Sequence, residues 1–374
     1  MDATTLVTPP YVAGPLRLEP FAALRLKPAR VGDPATGRAF ARPYRAVASR
    51  LQRWQQRGLV ARDTEPALYL HEYTSNGITI RGLVGALDVS RRALRPEDRV
   101  VLPHEGIHPA QADELADRMA EMQLNPAPIL LVHHGSPALR DLTGKVMTGD
   151  PDHDFTDRSA QQHRLWAITD PDTLEQIAAE VATSRALIAD GHHRYAAYLR
   201  LQQRGIGPGY DFGLAMLVDQ ADTPLFLGPI HRSLAGTTME HLEQATRLLG
   251  LGFTRVDQQQ AVASLGPTQL AATDGTEWAV VTLQVPDDSA AVEVLHRTVL
   301  PALPHGPSTI GFHHSVEEAL DRAARAKCVA VLMPAPSVDQ AMRIAEEDRL
   351  LPEKATSFQP KPSLGVLLRS LAEG

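Results

Sequence analysis

The chain reads as a mixed α+β protein, and three stretches carry that reading. Ser75-Asn76-Gly77 sits between two runs of strand-forming residues and marks a hairpin. The apolar run 185–189 passes through Asp190-Gly191 into Tyr195, Ala196, Leu199 and Leu201 at helical spacing, which Gly205 stops. From about Gly236 onward, helical and extended patterns alternate. An antiparallel element, a strand–turn–helix and an alternating C-terminal half together predict α+β architecture.

With 374 residues, 43% hydrophobic and 22% charged, the chain is long enough for two domains with sizeable cores. Its net charge of −7, from 37 basic and 44 acidic residues, argues against a general nucleic-acid or anionic-membrane surface. A single cysteine, Cys328 in an apolar run, excludes an internal disulfide and a cysteine-based zinc site. The first residues lack a signal-peptide pattern and no apolar run reaches spanning length, so a cytoplasmic location is expected.

In chain order, the prolines of residues 1–45, Pro9-Pro10 and Pro43 among them, predict an extended N-terminal segment. A helix over 43–57 ends at Gly58, and strands over 67–73 and 78–87 flank the Asn-Gly turn. Residues 102–109 lead into a helix with Ala112, Leu115, Met119 and Met122 on one face, followed by a buried strand in 128–134. The polar stretch 148–162 predicts a loop. Asp170-Pro171 opens a helix as N-cap and first residue, with Leu174, Ile177, Ala178 and Val181 inward. Beyond the central helix, strands 212–219 and 225–230 deliver His231-Arg232. Helices are expected over 239–249, 316–326 and 338–347, with strands over 278–285 and around Cys328. The boundaries that follow are 1–45, a core of 46–235 and a second lobe of 236–374.

Chemistry concentrates at the centre. Asp190 is expected at the carboxyl end of a strand, Gly191 lets the backbone turn, and the first N–H groups of the next helix have no intrahelical acceptor. Such an end attracts phosphate, and His192, His193 and Arg194 add hydrogen-bonding or cationic groups. An Asp at this position is often only a helix cap; two histidines and an arginine opposing the helix dipole point further, to an anion or metal. His104-Glu105 is a second grouping, suited to a general base or a metal ligand. Asp150, Asp152 and Asp154 resemble a calcium loop but place Phe155 and Gln161 where Gly and Glu are required. The pairs His133-His134, His192-His193 and His313-His314 lack the i, i+4 spacing of a zinc helix, and the common P-loop, dinucleotide and esterase glycine motifs are absent.

Over almost its whole length the chain resembles domain-of-unknown-function family 1015. The matching stretches include Pro103-His104-Glu105, Asn125-Pro126, Leu165-Trp166-Ala167-Ile168, Ala189 to Tyr195, Ile230-His231-Arg232, Gly311-Phe312-His313-His314-Ser315, and Leu351 through Lys361. It departs from the family pattern at Arg45, Ile107 and Ala355. More distantly, Asp190 to Arg194 is similar to the phosphate-binding turn of the ParB/sulfiredoxin superfamily, which includes free-serine kinases. His192 stands where sulfiredoxins carry their reactive Cys, so that chemistry is not expected.

The resemblance implies a ParB/sulfiredoxin-like nucleotide-binding core with an additional C-terminal α/β lobe. It implies a nucleotide-dependent kinase of a small hydroxylated metabolite, hydroxy amino acids such as serine included, using ATP or ADP with Mg²⁺. Asp190 and Glu105 are the implied catalytic residues, and His104 a substrate contact. Gly191, His192, His193, Arg194, His231, Arg232 and Lys354 are the implied phosphate contacts. A non-catalytic nucleotide or metabolite sensor using the same pocket, and a metal-dependent hydrolase, remain as alternatives.

Overall fold

A computed structural model describes residues 6–41 and 47–372. The chain forms two compact units, one of residues 1–225 with 360–374 and the other of residues 226–359. The first unit is built on a ten-stranded mixed sheet. Its main strands are β1 (Leu68–Ser75), β2 (Ile78–Asp88), β3 (Arg99–Leu102), β4 (Ile129–His133), β5 (His153–Thr156), β6 (Gln162–Ile168), β7 (Ala186–Asp190) and β8 (Phe212–Asp219). Starting from the short strand Val12–Ala13, the order is β3, β7, β4, β8, β2, β1, β6, β5, and Leu18–Glu19 pairs with β2.

Local chemistry explains the hairpin. Asn76 and Gly77 both have positive φ, 50° and 77°, as a two-residue mirror-image turn requires, and Ser75 pairs with Ile78. β4 is buried at every position and lies between antiparallel β7 and parallel β8, the continuous apolar run expected of a strand covered on both faces. Helices α1 (Pro109–Met122), α2 (Pro137–Val146), α3 (Pro171–Ala182) and α4 (His192–Arg204) complete this unit's larger elements. Asp170 caps α3 by accepting from the Thr173 N–H at 2.9 Å. α1 buries Ala112, Ala116, Met119 and Met122, while Leu115 is only half-buried.

Three sequence expectations change. The stretch 148–162 is not one loop: β5 pairs antiparallel with β6, and its burial alternates as befits an edge strand with one wet face. The prolines from Pro9 to Pro34 accompany short strands and a helix over Pro34–Ala41, and Ala23–Leu26 joins a four-stranded sheet with Val60–Arg62, Leu368–Ser370 and Leu124–Asn125. The helix expected over 43–57 runs Val47–Gln56, and Arg45 lies outside the described residues.

The second unit has an antiparallel six-stranded sheet in the order Gly252–Val256, Trp278–Thr282, Gln269–Thr273, Cys328–Leu332, His231–Ala235, Thr309–His313. Helix α5 (Val316–Arg325) lays Ala319 and Ala323 on Cys328, Ala330 and Leu332, and small side chains allow that close approach. Among the described residues, no helix is long and apolar enough to cross a membrane.

Candidate functional site

β7 is buried until its last residue, Asp190, which is partly exposed. Pairing with β4 steps from Ile188↔Leu131 to Asp190↔Leu130, leaving Ala189 as a bulge, and an extra residue there re-aims the side chain that follows. Gly191 then turns the chain at φ 97°, and α4 starts at His192 without a side-chain cap. A Cβ on Gly191 would lie 3.0 Å from both the Arg194 guanidinium and Ile129 Cγ2, so the turn is tight as well as left-handed. Tyr195, Ala196, Tyr198, Leu199 and Leu201 bury the inward face of α4, and Gly213 leaves the space that the Tyr198 ring fills.

Asp190 is held by two cations. Arg194 Nη2 lies 2.5 Å from Oδ2, and Lys361 Nζ lies 2.5 Å from Oδ1. Arg194 also donates from Nη1 to the Pro128 carbonyl at 2.6 Å. Burial alone pushes the Asp190 carboxyl up, but Arg194 and then Lys361 outweigh it and hold it below the ordinary carboxylate range. Tyr73 donates to the Pro360 carbonyl at 2.7 Å, and burial, with the Asp190 charge second, pushes its phenol up so that it stays a neutral donor.

The segment carrying Glu105 is stitched to the first turn of α4. The His104 N–H donates to His192 Nε2 at 3.3 Å and the His108 N–H donates to His193 Nε2 at 3.0 Å. A backbone N–H can only donate, so both Nε2 atoms present lone pairs and the neutral rings carry their proton on Nδ1. The two histidines therefore orient this loop as acceptors, which their position at a helix start does not by itself reveal. Glu105 is half-buried between these two stitches. His104 has no exposed surface and meets His192 edge-on with centroids 4.7 Å apart. Burial pushes its imidazole down to about 3, against a hydrogen bond to the Ile188 backbone that pulls the other way.

His231, Arg232 and Lys354 belong to the second unit. His231 Nδ1 accepts from the Met333 N–H at 3.1 Å. Arg232 is fully buried, with Nε donating to His296 Nε2 at 3.2 Å, Nη2 to the Glu353 carbonyl at 3.3 Å, and its guanidinium over the Phe312 ring. Lys354, next to Glu353, is exposed and has φ 53°. Arg232 and the Lys354 turn are thus adjacent within this unit.

Residues 14–303 match the family described as a protein of unknown function, DUF1015. The chain belongs to that family. No curated protein matches it. Solved structures similar to this DUF1015 protein include free serine kinase in complex with AMP, at 14% identity, covering 72% of this chain and 88% of that one with a TM-score of 0.40. A conserved hypothetical protein from Pyrococcus furiosus has 14% identity, 73% and 93% coverage and a TM-score of 0.40. C-terminally truncated SbnI from Staphylococcus aureus has 11% identity, 77% and 88% coverage and a TM-score of 0.43.

The residue of this DUF1015 protein that sequence reasoning missed is Lys361. It ends the Leu351–Lys361 stretch of the sequence resemblance, beyond the matched residues 14–303, and only folding brings it to Asp190. Among the described residues, no three His, Cys, Asp or Glu side chains are gathered as a metal site.

Proposed function

We propose that this protein is a nucleotide-dependent phosphotransferase acting on a small hydroxylated metabolite, hydroxy amino acids such as serine included. The observation that carries this reading is the Asp190 carboxylate clasped by Arg194 and Lys361 where α4 begins. One negative and two positive charges leave a surplus positive charge beside the uncapped helix N-terminus, which suits a phosphate group. Phosphoryl transfer depends on positioning and charge neutralisation more than on covalent chemistry, and this arrangement offers both.

In this reading Gly191 gives the backbone close access to phosphate, and the N–H groups of His192 and His193 with the Arg194 guanidinium hold it. Lys361, half-exposed on a flexible stem, exchanges Asp190 for a phosphate oxygen. Asp190 then orients the acceptor hydroxyl or holds Mg²⁺, and Glu105 takes the hydroxyl proton. His104 fixes the loop that carries Glu105. His231, Arg232 and Lys354, phosphate contacts by the resemblance, are no part of this reading, because Arg232 is fully buried and donates to His296 and the Glu353 carbonyl within the second unit. Bound ATP or ADP with Mg²⁺ would supply the phosphoryl group. The likeness of Asp190 to Arg194 to the phosphate turn of the ParB/sulfiredoxin superfamily supports such a core, centred on residues 46–235 and completed by the return of residues 360–374.

A second reading is a nucleotide or metabolite sensor without turnover. It is favoured by the engagement of both Asp190 oxygens, which makes the ion-pair set a latch that a bound anion would open. Thermal unfolding with and without Mg²⁺-ATP or Mg²⁺-ADP, followed by a transfer assay over small hydroxyl acceptors, tests both. No shift with any nucleotide removes the support of both readings; a shift without any transfer favours the sensor.

A further inference from the structure

Lys361 sits in the segment 360–363, which has neither helix nor strand, so no backbone ladder explains how its ammonium is kept on Asp190. A long, half-exposed side chain on an untethered backbone would lose that contact to conformational entropy. The tethers come from a side-chain amide, a phenol and a serine hydroxyl. Gln161 Nε2 donates to the Lys361 carbonyl at 3.1 Å, and the Ser363 N–H donates to Gln161 Oε1 at 2.8 Å. The Gln161 amide thus does for Lys361 what a neighbouring strand would do, one donor and one acceptor spanning two residues. Tyr73 holds the Pro360 carbonyl, and Ser159 Oγ meets Ser363 Oγ at 3.2 Å. Pro360 and Pro362 fix φ on both sides of the lysine and remove competing N–H donors.

Gln161 is itself held rigidly. Asp157 Oδ1 accepts from the Ser159 N–H at 2.8 Å and the Gln161 N–H at 2.9 Å, closing a tight turn in which Ala160 takes φ 62°. Asp157 Oδ2 accepts from His163 Nε2 at 3.2 Å, and His163 Nδ1 lies 3.0 Å from His71 Nε2. With the His163 proton directed at Asp157, its Nδ1 must accept from the His71 N–H, so the chain has one direction. His71, His163 and Asp157 are all buried, and each polar group in the chain satisfies the next.

We propose that the turn Asp157 to Gln161 is a clamp that sets Lys361 against Asp190, with Gln161 as the positioning residue and the Asp157–His163–His71 chain as its anchor. The consequence for ligand binding rests on the phosphate-site reading above; the clamp itself does not.

The experiment is a titration of the Asp190 carboxyl by carbon-13 NMR in the full-length protein, wild type and variants. Lys361→Met should raise the Asp190 pKa, and Gln161→Ala should raise it in the same direction with Lys361 still present. Hydrogen exchange at the Ser363 amide should accelerate by about tenfold or more, as expected when a buried hydrogen bond is lost. The exposed neighbour substitution Gln162→Ala should leave the titration at its wild-type position. If Gln161→Ala fails to fold, Ser363→Pro deletes the N–H that Gln161 accepts and is read in the same way, with Ser363→Ala as the control for the hydroxyl contact to Ser159. An Asp190 titration that moves in Lys361→Met but not in Gln161→Ala or Ser363→Pro overturns the clamp. In calorimetry with Mg²⁺-ADP, Gln161→Ala should weaken binding, and adding it to Lys361→Met should weaken it no further. A wild-type protein that binds no Mg²⁺-ADP sinks the phosphate reading while the titration still decides the clamp.

Discussion

The carboxylate of Asp190 meets the ammonium of Lys361 at 2.5 Å across 171 residues of chain. Its other oxygen meets Arg194, four residues on, at the same distance. One partner is supplied by the local turn and the other by the fold, and the two make different predictions on removal.

Lys361→Met removes the half-exposed cation and leaves the turn intact. Mg²⁺-ADP affinity should fall roughly ten- to a hundredfold, the scale of one charge-assisted hydrogen bond, with little change in melting temperature of the free protein. Arg194→Ala should instead lower both, because Arg194 also braces the Pro128 carbonyl. Calorimetry paired with thermal unfolding separates the two.

Asp190→Asn keeps the shape and deletes the charge. Nucleotide binding should persist, since the neighbouring cations are then uncompensated, while transfer to any acceptor stops. A coupled ADP-release assay beside a binding isotherm checks this, and undiminished transfer would remove Asp190 from the mechanism.

Glu105→Gln is the variant that divides enzyme from sensor. Its loop is fixed by backbone bonds to His192 and His193, so the substitution should leave binding unchanged. A kinase should lose turnover by about a hundredfold or more, the scale of general-base catalysis, whereas a sensor should respond to nucleotide as before.

Two glycines at positive φ should differ in what an alanine costs. At Gly205, φ 60°, a Cβ meets nothing within 4 Å, so only the left-handed backbone penalty of about 1 kcal/mol applies. At Gly191, φ 97°, the Cβ also crowds Ile129 and the Arg194 guanidinium, and about 2–3 kcal/mol is expected. Denaturant midpoints at constant m-value report the difference.

Acid should destabilise the protein well above the carboxylate range. Burial pushes His104 to about 3 and His133, His231 and His296 to about 4, whereas an unfolded histidine titrates near 6.5. Below that value the unfolded chain binds protons that the folded one refuses, so stability is complete above pH ~6.5 and falls as pH drops toward the folded values. Asp190 has the usual carboxylate sign: its contribution holds above about pH 4 and is lost below. Unfolding midpoints between pH 7 and 5 should decline, and His104→Gln should flatten the decline even if it lowers the plateau.

What was legible in the sequence is what is decided locally. Asn76-Gly77 specifies its own turn, and the apolar run before Asp190 with Gly191 behind it specifies strand, turn and helix start. The edge strand β5 was not legible, because His153 to Thr156 alternates wet and half-buried positions and so looks like a polar loop. Nor was Lys361, whose partner is remote and whose segment has no periodicity. Helix α2 had a usable signal: Ser136-Pro137 is a cap followed by a first-turn proline, with Ser136 Oγ accepting from the Leu139 N–H. The acceptor role of His192 and His193 depends on loop 103–108 arriving from elsewhere.

The return of residues 360–374 to the first unit bears on how the protein is made. A ribosome adding about 5–20 residues each second needs roughly ten to thirty seconds to travel the 171 residues from Asp190 to Lys361. Through that interval the nascent chain holds Asp190 with its local arginine alone, and Ala23–Leu26 waits for Leu368–Ser370 to pair with it. Neither contact can form until residues 361–370 have emerged, so a product stopped before them would expose an unfinished sheet edge to chaperones and proteases.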